Sequence, residues 1–157
     1  MKYLQYIFVL ALSLTLVQCQ KAETIDEVLP VIEISSVATF PHNCDTVYRG
    51  ESFQLVANFS DNVELGSYSV DIHHNFDHHT HSTAGEACSM DPIKTPVNPF
   101  LLIKSFYIPS GSKAFQSNQS IQIPNDIDTG DYHLMIRLTD KEGWQAIEGL
   151  SIKIENR

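Results

Sequence analysis

Five of the chain's seven histidines fall between positions 71 and 82, in the stretch DIHHNFDHHTHS. Imidazoles at that density have two chemical uses. As neutral rings they ligate divalent transition metals, zinc and copper above all. As groups that titrate near neutrality they form a pH-responsive or hydrogen-bonded structural cluster, in which crowding opposes joint protonation. In extended backbone, Val70, Ile72, His74 and Phe76 share one face, and Asp71, His73 and Asn75 share the other. The apolar face belongs to a core, so His74 is expected as a structural histidine, hydrogen-bonded at the core's rim. His73 stands between two oxygen-bearing neighbours able to orient its ring, as the outer groups around metal ligands do. His79 and His81, one residue apart in the loop beyond, can reach the same side. His73, His79 and His81 are therefore the leading candidate ligands, followed by His78 and by Asp77 as an oxygen donor. Adjacent histidines point apart, so all five cannot meet one ion, and the spacing matches no standard zinc signature. A free thiol at Cys88, with Met90, would favour Cu(I); an oxidised Cys88 leaves nitrogen and oxygen donors and moves zinc ahead of copper.

The elements that must position these rings read as strands. ESFQLVANFSD puts Phe53, Leu55, Ala57 and Phe59 on one face, and GDYHLMIRLTD does the same for Tyr132, Leu134, Ile136 and Leu138. PVIEISSVATF alternates from Val31 to Val37. With LGSYSVDIHHNF, FLLIKSFYIP, QSIQIP and QAIEGLSIKIEN, these segments predict an all-β, immunoglobulin-like antiparallel β-sandwich of about seven strands over residues 30–157. Asp77 to Pro99 forms an unusually long connector holding Cys88, Met90 and three of the seven prolines. Loops of that length in compact domains are functional or disordered. A Cys44–Cys88 disulfide would pin it near the first strand, the other use of two cysteines being thiolate ligation.

The N-terminus predicts the compartment. Lys2 precedes an apolar run from Tyr3 to Val17, which suits a signal-peptide core and is short for a membrane span. It ends in Leu16-Val17-Gln18-Cys19, which resembles a bacterial lipobox with Gln18 in place of the usual small residue. Residues 1–18 are expected to be a lipoprotein signal, Cys19 the lipidated first residue of the mature chain, and 19–29 a tether. The tether's Gln20-Lys21-Ala22-Glu23 is similar to the signal that sends some Bacteroidota lipoproteins to the outer face of the outer membrane. Partners follow from this: the membrane through the lipid, and a protein of the cell envelope. The formal net charge of −9, with no stripe of Lys or Arg, argues against nucleic acid.

FSDNVELGSYSVDIHHNFDHHTHS followed by TGDYHLMIRLTDKEGWQA resembles the DUF4625 family of Bacteroidota lipoproteins, a domain of unknown function. The resemblance covers nearly the whole mature chain and implies an immunoglobulin-like fold and an exported location. It brings no activity with it.

Other motifs point to structure. Asp126 to Asp131 begins like a calcium loop, but Gly130 stands where an oxygen ligand is needed and Arg137 where a bidentate glutamate belongs, so a tight turn is expected. Asp61 and Glu64 could hold calcium at a sandwich end, although Asp61-Asn62 is also ordinary turn chemistry. Trp144 is expected in the core. No nucleophile elbow, triad order or paired-carboxylate motif is present, so no enzyme activity is expected. The functional expectation is an outer-membrane lipoprotein that binds zinc or copper through its histidine-rich segment. The alternative is a metal-free envelope or adhesion module whose loop contacts a protein or glycan.

Overall fold

The computed structural model describes residues 25–81 and 88–157. The expected leader, the lipidated Cys19 and the first part of the tether lie outside the described residues, as do residues 82–87 of the connector. The strands, in chain order, are β1 (Val31–Glu33), β2 (Thr46–Tyr48), β3 (Ser52–Leu55), β4 (Asn58–Ser60), β5 (Leu65–His74), β6 (Leu102–Tyr107), β7 (Ala114–Gln116), β8 (Gln119–Gln122), β9 (Gly130–Asp140) and β10 (Gln145–Glu155). The described residues contain no helix, and so none long and apolar enough to cross a membrane.

One layer is a five-stranded sheet in the order β2-β10-β9-β5-β6. The other consists of β1-β4-β7 and β3-β8, and its division has a local cause. β3 and β4 are one run of chain interrupted near Ala57, and β7 and β8 are one run interrupted at Ser117. There the Ala57 N–H donates to the Ser117 side-chain oxygen at 2.8 Å, while the Ser117 N–H donates to the Ala57 carbonyl at 2.9 Å. The side chain thus replaces a ladder bond, and among the described residues the two layers contain eight continuous runs, one more than the seven segments read from the sequence. The addition is β2, three residues lying parallel to β10, with Val47 opposite Ile154. It is the exception to an otherwise antiparallel sandwich.

The alternation beginning at Val31 ends sooner than its pattern suggests. Glu33 Oε1 accepts the N–H groups of Ser35 and Ser36 at 2.8 and 2.7 Å, turning the chain and leaving Val37 fully exposed. Elsewhere the alternation holds. Tyr68, Val70 and Ile72 of β5 and Tyr132, Leu134, Ile136 and Leu138 of β9 are all buried to 1 % exposure or less. Each such side chain contributes roughly 1.5–3 kcal/mol of burial. The layers meet ring against ring, with Phe59 and Tyr68 centroids 4.8 Å apart. The Tyr132 hydroxyl donates to the Asp128 carbonyl at 2.7 Å and accepts the Phe100 N–H at 3.1 Å. A tyrosine bonded back to the backbone just upstream of its strand is a recurring corner of immunoglobulin-like sandwiches. Where a tight turn is expected at Asp126–Asp131, the chain makes a bend at residues 125–127 before entering β9.

Two features set the position of everything that follows. β5 and β9 pair from Leu65↔Asp140 to His74↔Tyr132, passing through His73↔His133. A bulge between Leu65 and Ser67 is accommodated by Gly66, where a Cβ would lie 2.6 Å from the Asp140 carbonyl oxygen. The connector after β5 folds back over the outer face of the five-stranded sheet. The Cys44–Cys88 disulfide ties it down, with Cα atoms 5.5 Å apart. The Asp91 N–H donates to Asp131 Oδ2 at 2.7 Å, and Lys153 Nζ pairs with Asp91 at 2.8 Å. The first half of β9 is consequently buried on both faces.

Packing begins earlier than the tether reading allows. Asp26 is 6 % exposed, and its carbonyl accepts the Trp144 indole N–H at 2.7 Å. Trp144 itself is 43 % exposed, a hairpin residue leaning on the N-terminal segment rather than a core residue.

Candidate metal centre

Strand alternation places His73 of β5 and His133 of β9 on the outer face, directly opposite one another. After Phe76 the chain reverses through His78, whose φ of +59° is left-handed. It then carries His79 and His81 back over that face, and four imidazoles converge. The ring centroids of His73, His79 and His81 stand 5.5, 5.2 and 5.1 Å apart, and His133 lies 4.7–5.6 Å from all three. Rings ligating one tetrahedral zinc through bonds of about 2.0–2.1 Å have centres roughly 5 Å apart. Ligand nitrogens of His73, His79 and His81 all lie within 4.8 Å of one another.

Two carboxylates orient these rings. Asp71 Oδ1 accepts from His73 Nδ1 at 2.7 Å, and Asp77 Oδ1 accepts from His79 Nδ1 at 2.6 Å. With the proton held on Nδ1, each ring presents the bare lone pair of Nε2, the arrangement that outer-shell carboxylates impose on ligating histidines. His73 Nε2 faces His81 Nε2 at 3.1 Å. Since His73 Nε2 carries no proton, His81 donates across that contact. The His79 bond also lowers the pKa of Asp77, keeping the carboxylate charged.

His133 serves the cluster differently. Its Nε2 donates to the His79 carbonyl at 3.1 Å, fastening the returning loop to β9. Burial lowers its pKa, and so do the neighbouring His81, His79 and His73. The pKa of His81 is lowered for the same reasons, burial first and then His73 and His79. Both effects favour the neutral ring, the form that can ligate a metal.

The remaining candidates fall outside the ring of nitrogens. His78 Nε2 bonds to the Asp91 carbonyl at 2.9 Å, which holds the connector rather than joining the cluster. Asp77 stands behind His79 as its orienting partner. His74 packs against Phe76 at 5.0 Å, but its Nδ1 is buried without a hydrogen-bond partner, contrary to the expected bond at the core's rim. Cys88 is oxidised, so its sulfur is no thiolate donor and the converging donors are nitrogen. Beside the cluster, the connector roofs a cavity of about 380 Å³ lined by the disulfide, His78, His79, Met90, His133 and Lys153 among others. His133 escapes a reading by proximity because it is 52 positions from His81 in the chain. Its signal was available nonetheless: an imidazole on the polar side of a strongly alternating strand.

Fold and site together describe a small all-β sandwich bearing an imidazole cluster on the outer face of one sheet. The chain belongs to the family described as "Domain of unknown function (DUF4625)", whose model matches residues 17–155. No curated protein matches it. Among solved structures, it is similar to a GspB Siglec domain, with a TM-score of 0.44 and 19 % identity over 84 % of this chain and 60 % of that one. It is also similar to Spo0M, a sporulation control protein from Bacillus subtilis, with a TM-score of 0.40 and 11 % identity over 82 % of this chain and 49 % of that one. The chain thus spans less than two thirds of either structure.

Proposed function

We propose that this protein is an exported outer-membrane lipoprotein, displayed at the cell surface through a lipid on Cys19, and that it binds one divalent transition-metal ion through His73, His79 and His81. The observation that carries the reading is the convergence of three ligand nitrogens within 4.8 Å, two of them on rings oriented by Asp71 and Asp77. With Cys88 in a disulfide, nitrogen donors favour zinc, then Cu²⁺. Three ligands leave a fourth position open for water or for a side chain of an envelope partner receiving the ion. The role is binding rather than turnover, because Asp71 and Asp77 are both committed to imidazoles and neither is free as a general base.

The test is elemental analysis of the untagged protein purified without chelator, before and after reconstitution with Zn²⁺ and Cu²⁺. About one ion per chain is expected, lost in a His79→Ala/His81→Ala variant that keeps the wild-type circular dichroism. Failure to retain metal after reconstitution would reject the proposal and leave the loop as a metal-free docking element. Labelling with a radioactive fatty acid in cells, lost in Cys19→Ala, tests the anchor separately.

A further inference from the structure

We infer that the opposite end of the sandwich carries a second and chemically different cation site, made by Asp26, Asp61 and Asp140 and suited to calcium. The three residues come from separate parts of the chain: the segment before β1, the turn after β4, and the last position of β9. One carboxylate oxygen from each lies within 4.8 Å of the others. Asp26 and Asp140 are only 6 % and 4 % exposed.

Each carboxylate divides its two oxygens in the same way. One secures local chain: Asp26 Oδ1 accepts the Val28 N–H at 3.0 Å and the Asn62 side-chain amide at 2.8 Å. Asp61 Oδ2 accepts the N–H groups of Val63 and Glu64 at 2.7 and 2.8 Å. Asp140 Oδ1 accepts those of Gly143 and Trp144 at 2.6 and 2.8 Å. The other oxygens, Asp26 Oδ2, Asp61 Oδ1 and Asp140 Oδ2, are buried with no hydrogen-bond partner. Buried polar atoms are almost always satisfied, and a bare buried carboxylate oxygen beside two further carboxylates is costly. No ion pair among the described residues reaches these carboxylates. In the neighbouring loops, Lys113 donates to the Asn62 carbonyl and Lys141 pairs with Glu64.

A cation held among the three carboxylates would satisfy these bare oxygens together. The donors are all oxygen, which selects a hard ion. Oxygens within 4.8 Å of one another need only a few tenths of an ångström of side-chain adjustment to meet one ion at the ~2.4 Å of a calcium–oxygen bond. Calcium also tolerates irregular coordination by loops, whereas magnesium demands near-ideal octahedral geometry. The turn reading of Asp61 and the calcium reading are both satisfied, one by each oxygen. Glu64 takes no part; its Oε1 accepts from Ser110 and Gly111.

The chain's single tryptophan supplies the probe. Trp144 donates its backbone N–H to Asp140 and its indole N–H to Asp26, close enough to sensitise Tb³⁺, a calcium mimic. Titration of the chelator-stripped protein with Tb³⁺, excited through Trp144, should give emission that saturates at one ion per chain and is displaced by Ca²⁺. Millimolar Ca²⁺ should raise Tm by about 4 °C, with no comparable rise from Mg²⁺. Asp61→Asn and Asp140→Asn should abolish both responses, and His79→Ala/His81→Ala should keep them. Absence of both responses in the wild-type protein overturns the proposal, whatever the fate of the variants. So does emission unchanged in Asp61→Asn, whose half-buried position makes it the safer substitution for folding. Stability that rises on acidification and ignores Ca²⁺ would show the oxygens sharing protons, and also overturns it.

Discussion

The Nε2 atoms of His73 and His81 face each other across 3.1 Å, and only one of them carries a proton. Asp71 holds the proton of His73 on Nδ1, so the shared proton belongs to His81. An ion bound between the two rings, as proposed above, would take its place, and His81 would then carry its proton on Nδ1. Nitrogen-15 NMR of the histidine side chains should show His81 changing tautomer on zinc addition, while His73 and His79 keep Nδ1–H throughout. A His81 spectrum unchanged by stoichiometric zinc would remove it from the ligand set.

The carboxylates behind the rings make a second prediction. Asp71→Asn and Asp77→Asn preserve shape but supply weaker acceptors for the Nδ1 protons. Each should weaken zinc binding about 10- to 100-fold, the usual cost of losing an outer-shell partner, measured by competition with a chromophoric chelator. Tm in the absence of metal should change little, because both carboxylates are substantially exposed. Unchanged affinity in both variants would mean that loop packing alone orients the rings.

The third prediction concerns acid. His81 and His133 have lowered pKa values in the folded protein, against about 6.5 in an unfolded chain. Below pH ~6.5 the unfolded chain takes up protons that the folded protein refuses, so stability falls as pH drops. Above that value the contribution is constant. With a zinc-selective chelator present, Tm should be flat from pH 8 to 7 and decline from 6.5 toward 5, and His133→Gln should flatten the decline. A Tm that rises over the acidic range would contradict the assigned direction.

The disulfide supports the fourth. Cys44 and Cys88 are 44 residues apart in sequence, and closing a loop of that length is worth about 4 kcal/mol on the chain-entropy model. The Cys44→Ser/Cys88→Ser variant should lose up to that amount in urea unfolding. It should also bind zinc more weakly, because the connector carrying His79 and His81 is released at its far end. Equal zinc affinity in the two proteins would show that the His133–His79 bond suffices to seat the loop.

Much of this was legible in the residues. The alternation of β5 and β9 predicts the core and assigns His73 to the outer face, and the spacing of His79 and His81 brings them to one side. What local pattern could not supply is pairing. His133 joins the cluster only through the β5–β9 register, and Asp26 looks like tether until Trp144 and Asn62 are seen to hold it. Strand β2 shows no period because it is only three residues long, and the alternation from Val31 runs past the end of β1 because Glu33 stops the strand through its side chain. Trp144, expected in the core, is instead 43 % exposed beside the β9–β10 hairpin, because its indole N–H is held by the Asp26 carbonyl.

The ladder between β5 and β9 runs from Leu65↔Asp140 at one end to His73↔His133 at the other. Sliding one strand past the other by a single residue would turn His73 and His133 to opposite faces and draw Asp140 away from its turn. A misaligned chain could still bury much of its apolar surface, yet it would lose both clusters at once. Ion uptake at the two proposed sites would therefore double as a proofreading signal, distinguishing a correctly threaded sheet from a compact impostor that spectroscopy of the backbone would pass as native.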